Sequence, residues 1–109
     1  MSNLPKLVRD KIPDIIRANG QDCEIEILSD EDYIKALDAK LDEEVAEYHE
    51  SHSLEELADL IEVIEAIAGA LGYRPHDLTT ELITKYNDRG GFDKRILLKE
   101  IKEKKDDQT

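Results

Sequence analysis

Lys40-Leu41-Asp42-Glu43-Glu44-Val45-Ala46-Glu47-Tyr48-His49-Glu50, then Ser51-His52-Ser53, then Leu54-Glu55-Glu56-Leu57-Ala58-Asp59-Leu60-Ile61, is the stretch that decides the fold. Two runs with helical periodicity flank a short polar turn, so the chain predicts an antiparallel helical hairpin. Each helix turns about 100° per residue and can be laid out as a wheel. With Leu54 at zero, Leu57, Leu60, Ile61, Val63, Ile64, Ile67, Ala68, Ala70 and Leu71 fill an arc from about 160° to 340°. Glu55, Glu62 and Glu65 lie on or toward the opposite side, but Glu56 falls near 200°, inside the apolar arc, and Asp59 near 140°, at its margin. On the preceding helix, with Tyr33 at zero, Ile34, Leu37, Leu41, Val45 and Tyr48 span about 40° to 120°. Glu44 lies near 20°, Glu47 and Lys40 follow one margin, and Asp38, Asp42, Glu43 and Glu50 point away. Both helices therefore place a Glu in the apolar face and a second acid one turn later: Glu44-x-x-Glu47, then Glu56-x-x-Asp59.

Outward from the hairpin, the chain reads as further helix. Asp10 is a candidate cap for a helix over about 11–19, with Pro13 in its first turn and Gly20 at its end. Cys23, Ile25 and Ile27 alternate with Glu24 and Glu26, a period of two that fits a short strand or extended link near 23–28. Ser29 or Asp30 opens the first hairpin helix, and Gly72 stops the second. Asp77 is a candidate cap for a last helix through about Asn87, ended by Gly90-Gly91. Residues 92–101 fit helix or extended chain, and 102–109 read as a polar tail. With 109 residues, this is one domain over 1–101, all-α, whose own core is thin enough to gain from a second copy.

The formal net charge is −12. From Glu24 to Glu65 there are 16 acidic and two basic residues, a net of −14, while the remainder carries +2. Such a chain is a poor partner for a nucleic acid polymer or an anionic membrane. It has no apolar run long enough to span a bilayer, and its lone Cys23 forms no internal disulfide. A cytoplasmic location is expected.

An ionised carboxylate in an apolar face costs several kcal/mol unless it is paired or bound to a cation. Four oxygen donors near one turn suit Mg²⁺, with Mn²⁺ also acceptable, rather than Zn²⁺. Mg²⁺ held by few carboxylates is commonly completed by substrate phosphates. Structural alternatives exist for each Glu. Ser53-x-x-Glu56 is a capping box, in which Glu56 would accept from the Ser53 N–H. Glu44 can pair with Lys40 one turn away, for about 0.3–0.5 kcal/mol if exposed. Neither alternative accounts for the same acid spacing on the inner side of both helices.

The quartet Glu44, Glu47, Glu56, Asp59 resembles the ExxE…ExxD motif of the all-α nucleoside triphosphate pyrophosphohydrolases. This is the MazG-like group, whose superfamily includes phosphoribosyl-ATP pyrophosphohydrolase and the dimeric dUTPases. Lys6-Leu7-Val8-Arg9-Asp10-Lys11-Ile12-Pro13, Lys40-Leu41-Asp42-Glu43-Glu44 and Arg89-Gly90-Gly91-Phe92 are similar to blocks of one MazG-like branch, so the resemblance runs from about Lys6 to Leu98. Only eight residues separate Glu47 from Glu56, fewer than in many members, which shortens the turn.

The resemblance implies an antiparallel bundle of the all-α pyrophosphohydrolase type, with a four-helix core completed in a homodimer or homotetramer. It implies Mg²⁺-dependent hydrolysis of a nucleoside triphosphate, including non-standard ones, to the monophosphate and pyrophosphate. Glu44, Glu47, Glu56 and Asp59 map onto the metal ligands and catalytic carboxylates, one of which can serve as general base. A polyanionic substrate also needs cations. Lys85 and Arg89 are candidates for phosphate contact, with Asn87 a polar contact and Arg9, Lys11 and Lys40 further substrate-binding candidates. The competing account of the Lys85–Arg95 block is a helix C-terminus with favourable basic residues. His49, His52 and His76 are expected in solvent, and Tyr33 and Tyr48 at the core edge. Two other functions fit the same features: a non-catalytic acidic helical module that binds a protein partner, and the phosphoribosyl-ATP hydrolase itself.

Overall fold

The computed structural model describes residues 4–104 and contains four helices: α1 (Ile12–Ala18), α2 (Asp30–Ser51), α3 (Leu54–Ala70) and α4 (Pro75–Arg89). No strand occurs among the described residues, so the chain is all-α. Residues 1–3 and the last five of the expected 102–109 tail lie outside the described range.

Ser29 starts α2, its Oγ accepting from the Asp32 N–H at 3.2 Å. Three acids then fill the first turn, where they complement the helix dipole. α2 runs two residues further than its polar ending suggested and stops at His52, whose left-handed backbone (φ 51°) reverses the chain. Ser53 caps α3 at once, accepting from the Glu56 N–H at 3.2 Å. This two-residue turn leaves α2 and α3 antiparallel and packed along their length.

Two expected caps are corrected. Lys11, not Asp10, stands at the N-cap of α1, with no side-chain cap bond. Asp77 lies inside α4 instead of before it, and its carboxylate accepts from the Arg74 N–H at 2.7 Å. Residues 23–28 have no regular secondary structure and no strand pairing among the described residues. The 92–101 segment is not helical: a turn closed by the Arg95 N–H on the Phe92 carbonyl (3.1 Å) leads into chain without regular secondary structure.

The interior is small. Among the described residues only Leu37, Val63 and Glu44 are buried, and Leu37 and Val63 face each other's helices across the hairpin. α4 packs on α3. The N-terminal segment crosses the hairpin through ion pairs of Lys6 with Glu43 and of Arg9 with Asp59. No described helix is long and apolar enough to cross a membrane.

Candidate metal centre

The hairpin turn brings the ends of the two acid pairs together. Glu44, Glu56 and Asp59 each offer a carboxylate oxygen within 4.8 Å of the others, and Glu43, Glu44 and Glu47 do the same. Glu44 belongs to both groups and is 4% exposed. Its Oε1 lies 3.4 Å from Lys40 Nζ, yet its Oε2 is buried with no hydrogen-bond partner, as is Oε2 of Glu56. Buried polar atoms are nearly always satisfied, so orphaned carboxylate oxygens on two residues of one acid group are a strong anomaly. A hard divalent cation held by oxygens satisfies both.

The capping-box account of Glu56 fails on geometry. The Ser53 N–H donates to Ser51 Oγ at 3.2 Å, and the Glu56 side chain is left facing Glu44. Desolvation is the first cause that pushes the Glu56 carboxyl up, to about 7; a hydrogen bond to Glu44 available only to the protonated form and the fields of Glu47, Glu44 and Asp59 add to it. Glu47 is also raised, first by desolvation and then by Glu44 and Glu43, against the opposing pull of Lys40 and Lys6.

Three cations partly compensate the cluster. Arg9 Nη2 donates to Asp59 Oδ1 at 2.6 Å and its Nη1 lies 3.9 Å from Glu62; both contacts hold the guanidinium's pKa above its ordinary value. Lys40 Nζ sits 3.5 Å from Glu43 as well as reaching Glu44. Lys6 Nζ lies 3.7 Å from Glu43. Beside them opens a groove of about 670 Å³, whose lining includes Arg9, Lys11, Tyr33, Lys40, Glu44 and Asp59.

The expected site residues thus divide. Glu44 is grouped with Glu56 and Asp59 on one side and with Glu43 and Glu47 on the other, so the four fall in two adjoining groups rather than one. Arg9, Lys11 and Lys40 line the adjoining groove. Lys85, Asn87 and Arg89 do not join them: all three are exposed on α4 and absent from the groove lining. Glu43, read as pointing away, is half-buried and part of the cluster. A signal for it existed. It lies only about 40° from Glu47 on the wheel, on the side where Lys40 sits. Tyr33 and Tyr48 are half-buried, while His49 and His52 are exposed with their rings tilted against Tyr48.

Comparison with known proteins adds one relative. A 44-residue stretch, 40% of this chain, is 61% identical to an uncharacterized protein of Mycolicibacterium smegmatis, of which it covers 45%. No family model and no solved structure matches the chain.

Proposed function

We propose that the protein is a Mg²⁺-dependent pyrophosphohydrolase that cleaves a nucleoside triphosphate, non-standard ones included, to the monophosphate and pyrophosphate. The observation that carries this reading is the pair of orphaned buried carboxylate oxygens on Glu44 and Glu56 within a five-acid cluster beside an open groove. The likeness of the Glu44–Asp59 quartet and its flanking blocks to the MazG-like group supports the same reading.

Glu44, Glu47, Glu56 and Asp59 are the residues that would hold the cation, with Glu43 joining Glu44 and Glu47. Bound Mg²⁺ supplies positive charge for phosphate oxygens and acidifies water. Without a cation the Glu56 carboxyl is raised to about 7; a bound cation would hold it ionised as a ligand. Arg9 and Lys11, from the N-terminal wall, and Lys40 present cations to the phosphate chain. The fold implied is a bundle whose four-helix core is completed by a second copy, in the cytoplasm. α3 supports that part: Leu54, Leu57, Ile61, Ile64 and Leu71 form an outer seam at alternating spacings of three and four, or seven, residues. They are exposed from 40% at Leu57 to 81% at Leu54.

The test is pyrophosphate release from standard, deoxy and modified triphosphates and from phosphoribosyl-ATP, with and without Mg²⁺. At least one substrate should turn over with Mg²⁺, and Glu44→Gln and Glu56→Gln should abolish it. Folded protein that hydrolyses none of them overturns the proposal and leaves the acidic interaction module as the better account.

A further inference from the structure

We propose that residues 90–104 form an arm that leaves its own protomer and lies along the acidic α2–α3 hairpin of a second copy, which returns its arm in exchange. This rests on the self-association proposed above but uses a different surface from the α3 seam.

The arm begins where Gly90 (φ 80°) turns the chain off the axis of α4 and Gly91 lies against the Tyr86 ring, where an added Cβ would come within 3.3 Å. A turn over Phe92–Arg95 follows, and 96–104 has no regular secondary structure. It is far from polar: Phe92, Ile96, Leu97, Leu98 and Ile101 are exposed from 72% at Leu98 to 97% at Phe92. Five large apolar side chains in fifteen residues are too many to leave in water in a folded protein.

Its own protomer does not cover them. The chain extends 80 Å along its longest axis, whereas the longest hairpin helix, 22 residues, is only about 33 Å long. The arm therefore projects well clear of its own hairpin. The total surface of 10168 Å² exceeds the roughly 6,200 Å² of a compact monomer of 12.5 kDa by far more than the ~800 Å² each partner gives to a standard interface.

Charge selects the hairpin as the surface that receives it. Lys94, Arg95, Lys99, Lys102 and Lys104 stand against Asp93, Glu100 and Glu103, so the arm carries +2 while residues 24–65 carry −14. Length agrees. Nine residues, 96–104, reach about 30 Å when extended, close to the ~26 Å of the 17-residue α3. Two identical chains related by a twofold axis satisfy both arms at once.

The experiment places a photo-cross-linking p-benzoylphenylalanine at Leu98 in an equal mixture of ¹⁵N-labelled and unlabelled full-length chains. Cross-links joining heavy to light chains, mapped to peptides within 30–70, are the expected result. In sedimentation, Leu97→Asp and a chain ending at Arg89 should each weaken self-association at least tenfold with helicity unchanged. Cross-links confined to one chain, or arm variants that associate as the full chain does, overturn the proposal. If those arm variants stay dimeric while Ile61→Asp is monomeric, the arm is wrong and the seam right. If Ile61→Asp stays dimeric and the arm variants dissociate, the arm stands without the seam. None of these readouts depends on catalysis or Mg²⁺.

Discussion

Glu56 sits where a carboxylate is least comfortable, with its carboxyl raised from an ordinary value near 4.5 to about 7. The folded state therefore keeps this proton after the unfolded chain has lost it. That stability is fully present below about pH 4.5 and is lost as pH rises through about 7. In EDTA, the melting temperature of the wild type should fall across that window relative to Glu56→Gln, which has no proton to lose; parallel curves would count against it. Added Mg²⁺ favours the ionised form, so its stabilising shift should be larger at pH 8 than at pH 5.5 and absent in Glu44→Gln. Arg9 acts in the opposite sense. Its guanidinium is about half exposed on Asp59, so its field on an incoming cation is screened. Removing it with Arg9→Gln should tighten Mg²⁺ binding by up to about fivefold, an effect of at most about 1 kcal/mol, readable by titration calorimetry. At this scale the wheel made Glu44 and Glu56 legible, because an acid inside an apolar arc violates the period. It missed Glu43, which lies outside the apolar arc but beside Glu47 and Lys40, and which Lys40 at 3.5 Å and Lys6 at 3.7 Å both pair with.

Among the elements, the hairpin turn has the least redundancy. His52 holds a left-handed backbone and Ser53 caps α3, with Ser51 Oγ accepting the Ser53 N–H. Ser53→Ala removes the acceptor for the Glu56 N–H and should cost about 1 kcal/mol, lowering the melting temperature by roughly 4–8 °C; Ser53→Asp should restore most of it. A drop beyond that range in calorimetry would mean that the cap also positions Glu56. The boundaries of α2 and α3 were readable within two residues because Ser29 and Ser53 act locally, through side-chain bonds three residues away. Asp10 and Asp77 were misread as caps for a related reason. A proline in the first turn of each helix, Pro13 and Pro75, fixes the start without needing a side-chain acceptor in front. The alternation at 23–28 carries a strand's period, but a strand needs a neighbour to bond with, and among the described residues none pairs with it.

The whole molecule is shaped by what one copy lacks. Its radius of gyration is 20.5 Å, against about 13 Å for a compact chain of this length. Among the described residues only two apolar side chains, Leu37 and Val63, are buried. On the association proposed above, such a chain would gain core from a second copy, and its charge would set how that association responds to salt. Pairing two hairpins across the α3 seam brings together two segments of −14, whereas each arm contributes only +2 toward its neighbour. Repulsion therefore dominates the long-range electrostatics. The Debye length shrinks from about 30 Å at 0.01 M to about 10 Å at 0.1 M and 3 Å at 1 M, so added salt removes the repulsion between hairpins before it affects contacts made at van der Waals distance. The dissociation constant of the wild type should fall as NaCl is raised from about 0.01 M to about 0.5 M, followed by sedimentation velocity. Mg²⁺ should produce the same tightening at millimolar concentration, by neutralising the acid cluster itself instead of screening it. Ile61→Asp adds a charge inside the seam at zero separation, where screening gives little relief, and should remain monomeric throughout. Association that weakened steadily with salt would assign the contact to the basic arms alone and remove the hairpin seam from the interface.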